Sequence, residues 1–311
     1  MLELHLHLDG SLRPESVWDI VYSQNIDTGC SNLGEIRDNM ICPPHCPDLT
    51  DYLKRFDIPI LVFQKESNIE RFSYELVEDL AKEGLEYAEI RFAPSHSVKE
   101  GLSQEAVVEA VISGVNRGMK MYPQIEIKLI LCCMRGDNMY EANMKTINVA
   151  KTYYGKGVAA LDLAGAEALF PTDSFRELFD YARSLDIPYT IHAGEAAGPE
   201  SVISALSFGA HRIGHGINSI KDESLIERII KDNITLEVCI QSNIDTKAFP
   251  ENEVHPIKKL YDMGVHVTLN TDNRTVSNTT LAHEIELAKS IGFTDDDINK
   301  MWEYAKMARF D

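Results

Sequence analysis

Short apolar or β-branched runs alternate with longer amphipathic stretches along this chain, and the rhythm repeats eight times. The runs are 2–6, 87–92 (YAEIRF), 127–132 (IKLILC), 158–163 (VAALDL), 188–191 (PYTI), 211–214 (HRIG), 234–238 (ITLEV) and 266–269 (HVTL). Helical patterns occupy 105–121, 144–154, 172–185, 199–208, 224–232 and 257–264. Strands alternating with helices call for a parallel sheet with right-handed crossovers, and eight of them predict closure into a (β/α)8 barrel. A doubly wound open sheet is the alternative, but no G-x-G-x-x-G opens a helix after an early strand. Barrels of this type take up chains of this length as one unit, so one domain is expected over residues 1–311.

The first connection breaks the rhythm, because the stretch from Gly10 to Gly84 is far longer than one crossover needs. Within it Leu49, Tyr52, Leu53 and Phe56 fall at i, i+3, i+4 and i+7, one apolar face of a helix. That face either packs on the barrel exterior or forms a lid over the barrel mouth, where long loops often serve.

Composition narrows the partners. A formal net charge of −19 excludes a nucleic-acid surface, which needs clustered Lys and Arg, and disfavours a highly phosphorylated substrate. The opening MLELHLHLDG has neither a basic start nor a long apolar run, and no segment approaches the ~20 apolar residues of a membrane span. A cytoplasmic protein with no membrane partner is the expectation. The 6 cysteines lack paired spacings and read as reduced thiols. Cys42-Pro-Pro-His45-Cys46, with Cys30 upstream, reads either as a proline-rich loop or as a structural zinc site without a second cysteine pair.

In such barrels the active site lies at the C-terminal strand ends, and here those ends are polar one after another. The first strand delivers His5 and His7, which alternate with leucines and so share one face, and then Asp9. The fourth ends in DLAGAE, the fifth in HAGE with His192 and Glu195, the sixth in GHG with His215, the seventh in CIQSN and the eighth in NTDN with Asp272 and Asn273. A lone histidine or a lone aspartate after a strand is ordinarily a satisfied core residue or a helix cap. Three histidines and one aspartate converging on one rim suit Zn2+ or a similar divalent ion with a position left for water. His5, His7, His192 and Asp272 are the expected ligands. A metal there would bring the pKa of water from about 15.7 toward 7. Glu195 and His215 beside it are the expected acid–base pair, and the chemistry so far is metal-assisted hydrolysis.

The ordered set ELHLHLDGSL, EIRFAP, DLAGAE, HAGE, RIGHGI, C-x-x-SN and LNTDN resembles the adenosine deaminase family of the amidohydrolase superfamily, from Met1 to about Glu286. The resemblance implies that His5, His7, His192 and Asp272 bind one zinc ion. It implies that Glu195 protonates purine N1, and that His215 orients or deprotonates the attacking water. It further implies that the Gly165 backbone meets purine N3, that Asp9 meets the ribose hydroxyl end, and that Leu49, Tyr52, Leu53 and Phe56 wall or cover the pocket. The implied reaction converts adenosine and 2′-deoxyadenosine to inosine and 2′-deoxyinosine plus ammonia, in purine salvage. The H-x-E and P-C-x-x-C signature of the cytidine-deaminase type is missing.

Two features depart from the family pattern. Asn273 stands where many relatives carry a second Asp. Purine N7 is an acceptor, so an Asn amide can donate to it at any pH, and Asn273 is expected to keep that contact. The chain also stops at MWEYAKMARFD, where relatives usually continue through further helix. Adenine, AMP and modified adenosines are alternative substrates on the same scaffold. Adenine deaminases resemble H-x-H-x-E-G where this chain has Asp9, and a 5′-phosphate near Asp9 would meet like charge. A metal-dependent phosphoesterase or lactonase on this barrel would often use a bridging lysine or glutamate on a middle strand, and LDLAGAE has no lysine. A non-catalytic nucleoside binder would be favoured by loss of Glu195 or of a ligand, and all are present.

Overall fold

The structure is a computed structural model that describes residues 1–44 and 46–310. Its strands are β1 (Leu2–His7), β2 (Tyr87–Phe92), β3 (Glu126–Met134), β4 (Val158–Ala164), β5 (Thr190–Ala193), β6 (Arg212–His215), β7 (Thr235–Val238) and β8 (His266–Leu269). They pair in parallel and in chain order as two runs, β1 to β4 and β5 to β8. Two bridges, Leu161 to Tyr189 and Leu6 to Asp272, join the runs into a ring. The second closure consists of the His7 N–H donating to the Asp272 carbonyl (2.7 Å) and the Asp272 N–H donating to the His5 carbonyl (3.0 Å). The expected barrel is the fold, and its seam runs through three of the expected ligands.

The outward faces of the strands are apolar and sealed by the helices. Leu6, Ile90, Leu131, Leu161, Ile191, Ile213, Leu236 and Val267 are buried in one cluster with Phe72, Val111, Phe179, Val202 and Ile229 of the surrounding helices. Each such side chain contributes about 2 kcal/mol by leaving water. The inward faces are charged instead of aliphatic. Glu3, Glu89, Arg91, Asp162, Arg212 and Glu237 are fully buried there. Arg91 donates to Asp162 (2.9 Å), Glu237 (2.8 Å) and the Leu4 carbonyl (2.6 Å), and Arg212 donates to Glu237 (2.6 Å) and Glu89. Charges this deep persist only when each has partners. Phe310 closes the base, its N–H donating to Glu89 (2.7 Å) and its ring 3.9 Å from the Arg212 guanidinium.

The stretch between β1 and β2 holds helices Pro14–Gln24, Leu33–Met40, Leu49–Leu53, Asp57–Val62 and Glu66–Glu83. The last is the crossover itself, and it ends at the left-handed Gly84. The predicted face through Phe56 is not one continuous α-helix. The α-helix stops at Leu53 and tightens into a 3-10 turn over Lys54–Phe56. Pro59, lacking an N–H, could not donate back to Arg55 in a continued helix. The predicted helix at 172–185 is likewise a 3-10 turn, Thr172–Phe175, followed by an α-helix, Arg176–Ser184. Beyond β8 two helices follow, Leu281–Ser290 and Asp295–Ala308, the second opened by a Thr294/Asp297 capping box. Among the described residues no helix is long and apolar enough to cross a membrane.

Candidate active site

The Nε2 atoms of His7 and His192 lie 3.2 Å apart, and those of His5 and His7 each lie 3.3 Å from Asp272 Oδ1. All four donor atoms fall within 4.8 Å of one another. Two donors at about 2.0–2.1 Å from one ion and at tetrahedral angles stand about 3.3–3.4 Å apart, so these separations fit one divalent metal shared by the four residues. Two of the outer ring nitrogens are already committed. His5 Nδ1 donates to Glu237 (2.9 Å) and His192 Nδ1 to Asp162 (2.9 Å), which leaves both Nε2 atoms as lone-pair donors facing inward. His5 Nε2 is buried without a hydrogen-bond partner. Burial also holds His7 and His192 below the usual histidine range, keeping the rings neutral.

Close packing of these rings depends on Gly214 of β6, where a Cβ would lie 3.1 Å from His5 Cε1 and 3.2 Å from His192 Cα. Asp272 adopts the left-handed conformation (φ 58°) just beyond β8, which turns its carboxylate into the site, and Oδ2 accepts from Ser242 (2.6 Å). Burial would raise its pKa, but the surrounding His5, His7 and His215 imidazoles outweigh burial and hold it well below the ordinary carboxyl range.

Glu195 and His215 stand beside this cluster, with Glu195 Oε2 3.6 Å from His215 Nε2 and Oε1 accepting from Thr246 (3.1 Å). Burial, reinforced by the charges of Asp272 and Glu167, lifts Glu195 well above the ordinary carboxyl range, which favours its protonated form. His7, His192 and Asp272 of the metal set, with Glu195 and His215, thus line one cavity of about 260 Å3. Its wall includes each residue expected to bind substrate: Asp9, Leu49, Tyr52, Leu53, Phe56, Gly165 and Asn273. Leu49 and Tyr52 pack on Cys46 and Val276, with Leu53 and Phe56 beside them, so this face borders the barrel mouth and not its exterior. Asp9 Oδ1 and Asn273 Oδ1 are both buried and unpartnered. Burial moves Asp9 up to about 6.

Sequence reasoning passed over the residues that hold these groups in place. Asp162, Glu237 and Arg91 orient the ligands. Glu167 accepts the backbone N–H groups of Gly194 (2.7 Å), Glu195 (3.0 Å), Ala196 (2.7 Å) and Ala197 (3.0 Å) and the Ser201 hydroxyl, fixing the loop that carries Glu195. Ile60, His96, Cys132, Met134 and Arg135 complete the wall. A signal existed for the first group, since charges at alternate positions inside apolar strands (EIRF, LEV) have nowhere to point but the barrel interior. Of the proposed cysteine site, Cys42 and Cys46 are free thiols on the lid side, Cys30 is elsewhere, and His45 lies outside the described residues. Among the described residues no metal-binding group includes these cysteines.

Residues 1–310 match the family model described as Adenosine deaminase. The chain belongs to the adenosine deaminase family. Within the family, an adenosine deaminase from Clostridium kluyveri is 42% identical over 301 residues, covering 96% of this chain and 86% of that protein. This adenosine deaminase family member is therefore an enzyme of the hydrolase class that acts on C–N bonds. Among solved structures, the adenine deaminase from Arthrobacter aurescens superimposes with a TM-score of 0.89 at 23% identity, covering 100% of this chain and 93% of that one, and so shares the fold. The Arabidopsis protein ADAL, solved in complex with IMP, superimposes with a TM-score of 0.86 at 26% identity over 100% and 92% of the two chains.

Proposed function

We propose that this protein deaminates adenosine and 2′-deoxyadenosine hydrolytically, giving inosine and 2′-deoxyinosine plus ammonia, with one zinc ion per chain held by His5, His7, His192 and Asp272. The observation that carries the reading is the convergence of three imidazoles and one carboxylate beside a buried Glu195 whose carboxyl burial holds well above the ordinary range. Membership of the family supplies the substrate class.

When bound, the zinc supplies Lewis acidity that makes water a nucleophile at neutral pH. The protein does the rest by position and proton. Glu195 donates its proton to purine N1, which draws electron density from C6 and opens it to addition. His215, 3.6 Å from Glu195, orients the oxygen that adds. The Gly165 backbone meets N3, and the Asn273 amide donates to N7. Asp9 accepts from the ribose hydroxyl end. Leu49, Tyr52, Leu53 and Phe56 cover the mouth and exclude water, which strengthens each polar contact beneath them.

A free nucleoside is favoured over a nucleotide. Among the described residues Arg135 is the one Arg or Lys in the cavity wall, and its two terminal nitrogens donate to the Phe170 carbonyl (2.7 Å), Thr172 (2.8 Å) and the His192 carbonyl (2.6 Å). Burial holds His96 down at about 4, so it offers a phosphate no charge. Adenine is the second reading, favoured by the fold shared with the Arthrobacter adenine deaminase. The test is ultraviolet absorbance with adenosine, 2′-deoxyadenosine, adenine and AMP on protein of measured metal content. The highest kcat/KM is expected for the two nucleosides, and no change with any of the four at full metal occupancy would overturn the proposal.

A further inference from the structure

His255 is a buried histidine outside the pocket, on the loop before the helix Ile257–Asp262, its ring packed edge-on against Phe249 at 5.0 Å. Its Nδ1 lies 3.1 Å from the backbone nitrogen of Ile257, its Nε2 3.2 Å from Asn243 Oδ1, and Asn243 Nδ2 lies 3.0 Å from His215 Nδ1. We infer that His255, acting through Asn243, is a positioning residue that fixes the tautomer of His215, so that His215 presents an N–H and not a lone pair to the reacting centre.

The polarity of this relay is set at one end by a group with no choice. A backbone N–H can only donate, so His255 Nδ1 must accept, and the proton of the neutral ring sits on Nε2. That N–H requires an acceptor, so the Asn243 amide must turn its oxygen toward His255. The reverse orientation would set NH2 against N–H. The amide nitrogen is left to donate to His215 Nδ1. The proton of neutral His215 is then on Nε2, facing Glu195 Oε2 at 3.6 Å and Asp272 Oδ2 at 4.0 Å. Burial pushes His255 down to about 3, so the ring that starts the relay stays neutral throughout the working range.

Two consequences follow for the site. His215 with its Nε2 protonated has no lone pair for a metal, which separates it from His5, His7 and His192, whose inner nitrogens are free. It also enters the reaction as a hydrogen-bond donor that holds an oxygen, and not as the base that takes its proton.

The experiment is long-range 1H–15N spectroscopy of the zinc-loaded protein labelled with 15N-histidine, with each ring assigned by single substitution. His215 and His255 should both appear as Nε2–H tautomers. In Asn243→Asp the carboxylate can only accept, so His215 should switch to Nδ1–H. His255→Leu should release the amide and give mixed tautomers, and His255→Gln, which keeps a donor, should restore the Nε2–H form. The kinetic consequence rests on the deaminase reading: kcat for adenosine should fall on the order of 10- to 100-fold in Asn243→Asp and His255→Leu, with a smaller change in KM. The tautomer does not depend on any substrate, so a failed deaminase assay leaves the spectroscopic test intact. A wild-type His215 protonated on Nδ1 would overturn the inference, and that measurement stands even where a variant does not fold. So would an unchanged His215 tautomer in folded Asn243→Asp.

Discussion

The carboxylate of Glu167 lies beneath the loop after β5 and accepts the backbone N–H of Glu195 at 3.0 Å. One acid thereby aims another, because the same carboxylate also accepts from the three flanking N–H groups and from Ser201. Glu167→Gln would turn an amide NH2 toward these donors. Stability should fall by about 2–4 kcal/mol in urea unfolding, the cost of charged hydrogen bonds lost in a buried site. The displaced Glu195 should lower kcat/KM for adenosine by roughly 100-fold, as misplacement of a reacting group does. Values within about 0.5 kcal/mol and twofold of wild type would mean the loop holds itself.

Asn273 is buried in the wall with its Oδ1 unpartnered, and a Cβ on Gly10 would lie 1.9 Å from that oxygen. The Asp-Gly at the end of β1 is thus a matter of space as well as of turning. Asn273→Ala should lower kcat/KM for adenosine by about fivefold to tenfold, the worth of one neutral hydrogen bond. Gly10→Ala should match or exceed this loss, since it drives the intact amide from its place. A ratio within about twofold for Asn273→Ala, some 0.4 kcal/mol, would show that the N7 contact is not made.

Asp9 ties substrate recognition and stability to the same pH range. Burial raises it from 3.8 to about 6, so between these values the folded chain binds a proton that the unfolded chain releases. Its contribution to stability is full below about pH 4 and is lost as pH rises through 6, a change of order 2–3 kcal/mol. Asp9→Asn should flatten that part of the stability profile in thermal unfolding. Ionised Asp9 is the stronger acceptor for a hydroxyl, so KM for adenosine should rise as pH falls through 6, and Asp9→Asn should abolish this trend. Asp9→Ala should raise KM for adenosine more than for adenine, and an equal effect on both would return Asp9 to a role in the turn.

Chelation should remove one metal per chain and abolish activity, with recovery on adding zinc. Metal at 1,000 times its dissociation constant stabilises the folded state by about 4 kcal/mol, so the apoprotein should melt several degrees lower. Glu237→Gln keeps every ligand but weakens the partner of His5 Nδ1, and metal affinity should fall about 10- to 100-fold by competition titration. Unchanged affinity would show that Arg91 and the remaining ligands orient the site without Glu237.

The strand–helix alternation and the His, Asp and Glu residues at strand ends were legible in the sequence, because both are local patterns with fixed periods. Alternation within a strand put His5 and His7 on one face, and the barrel rule brought His192, Glu195, His215 and Asp272 to the same rim. The break at Leu53 was hidden because apolar spacing does not register the missing N–H of Pro59. Glu237 beneath His5, Asp162 beneath His192, Glu167 beneath Glu195 and His255 behind His215 could be found only in three dimensions. Each is paired across two strands or loops far apart in the chain, and sequence spacing carries no information on such pairs. The sequence determined which groups are available and at which end of the barrel they lie. Tertiary structure decided which nitrogen of each imidazole faces inward and which carboxyl keeps its proton, because those states depend on burial and on hydrogen bonds between distant segments.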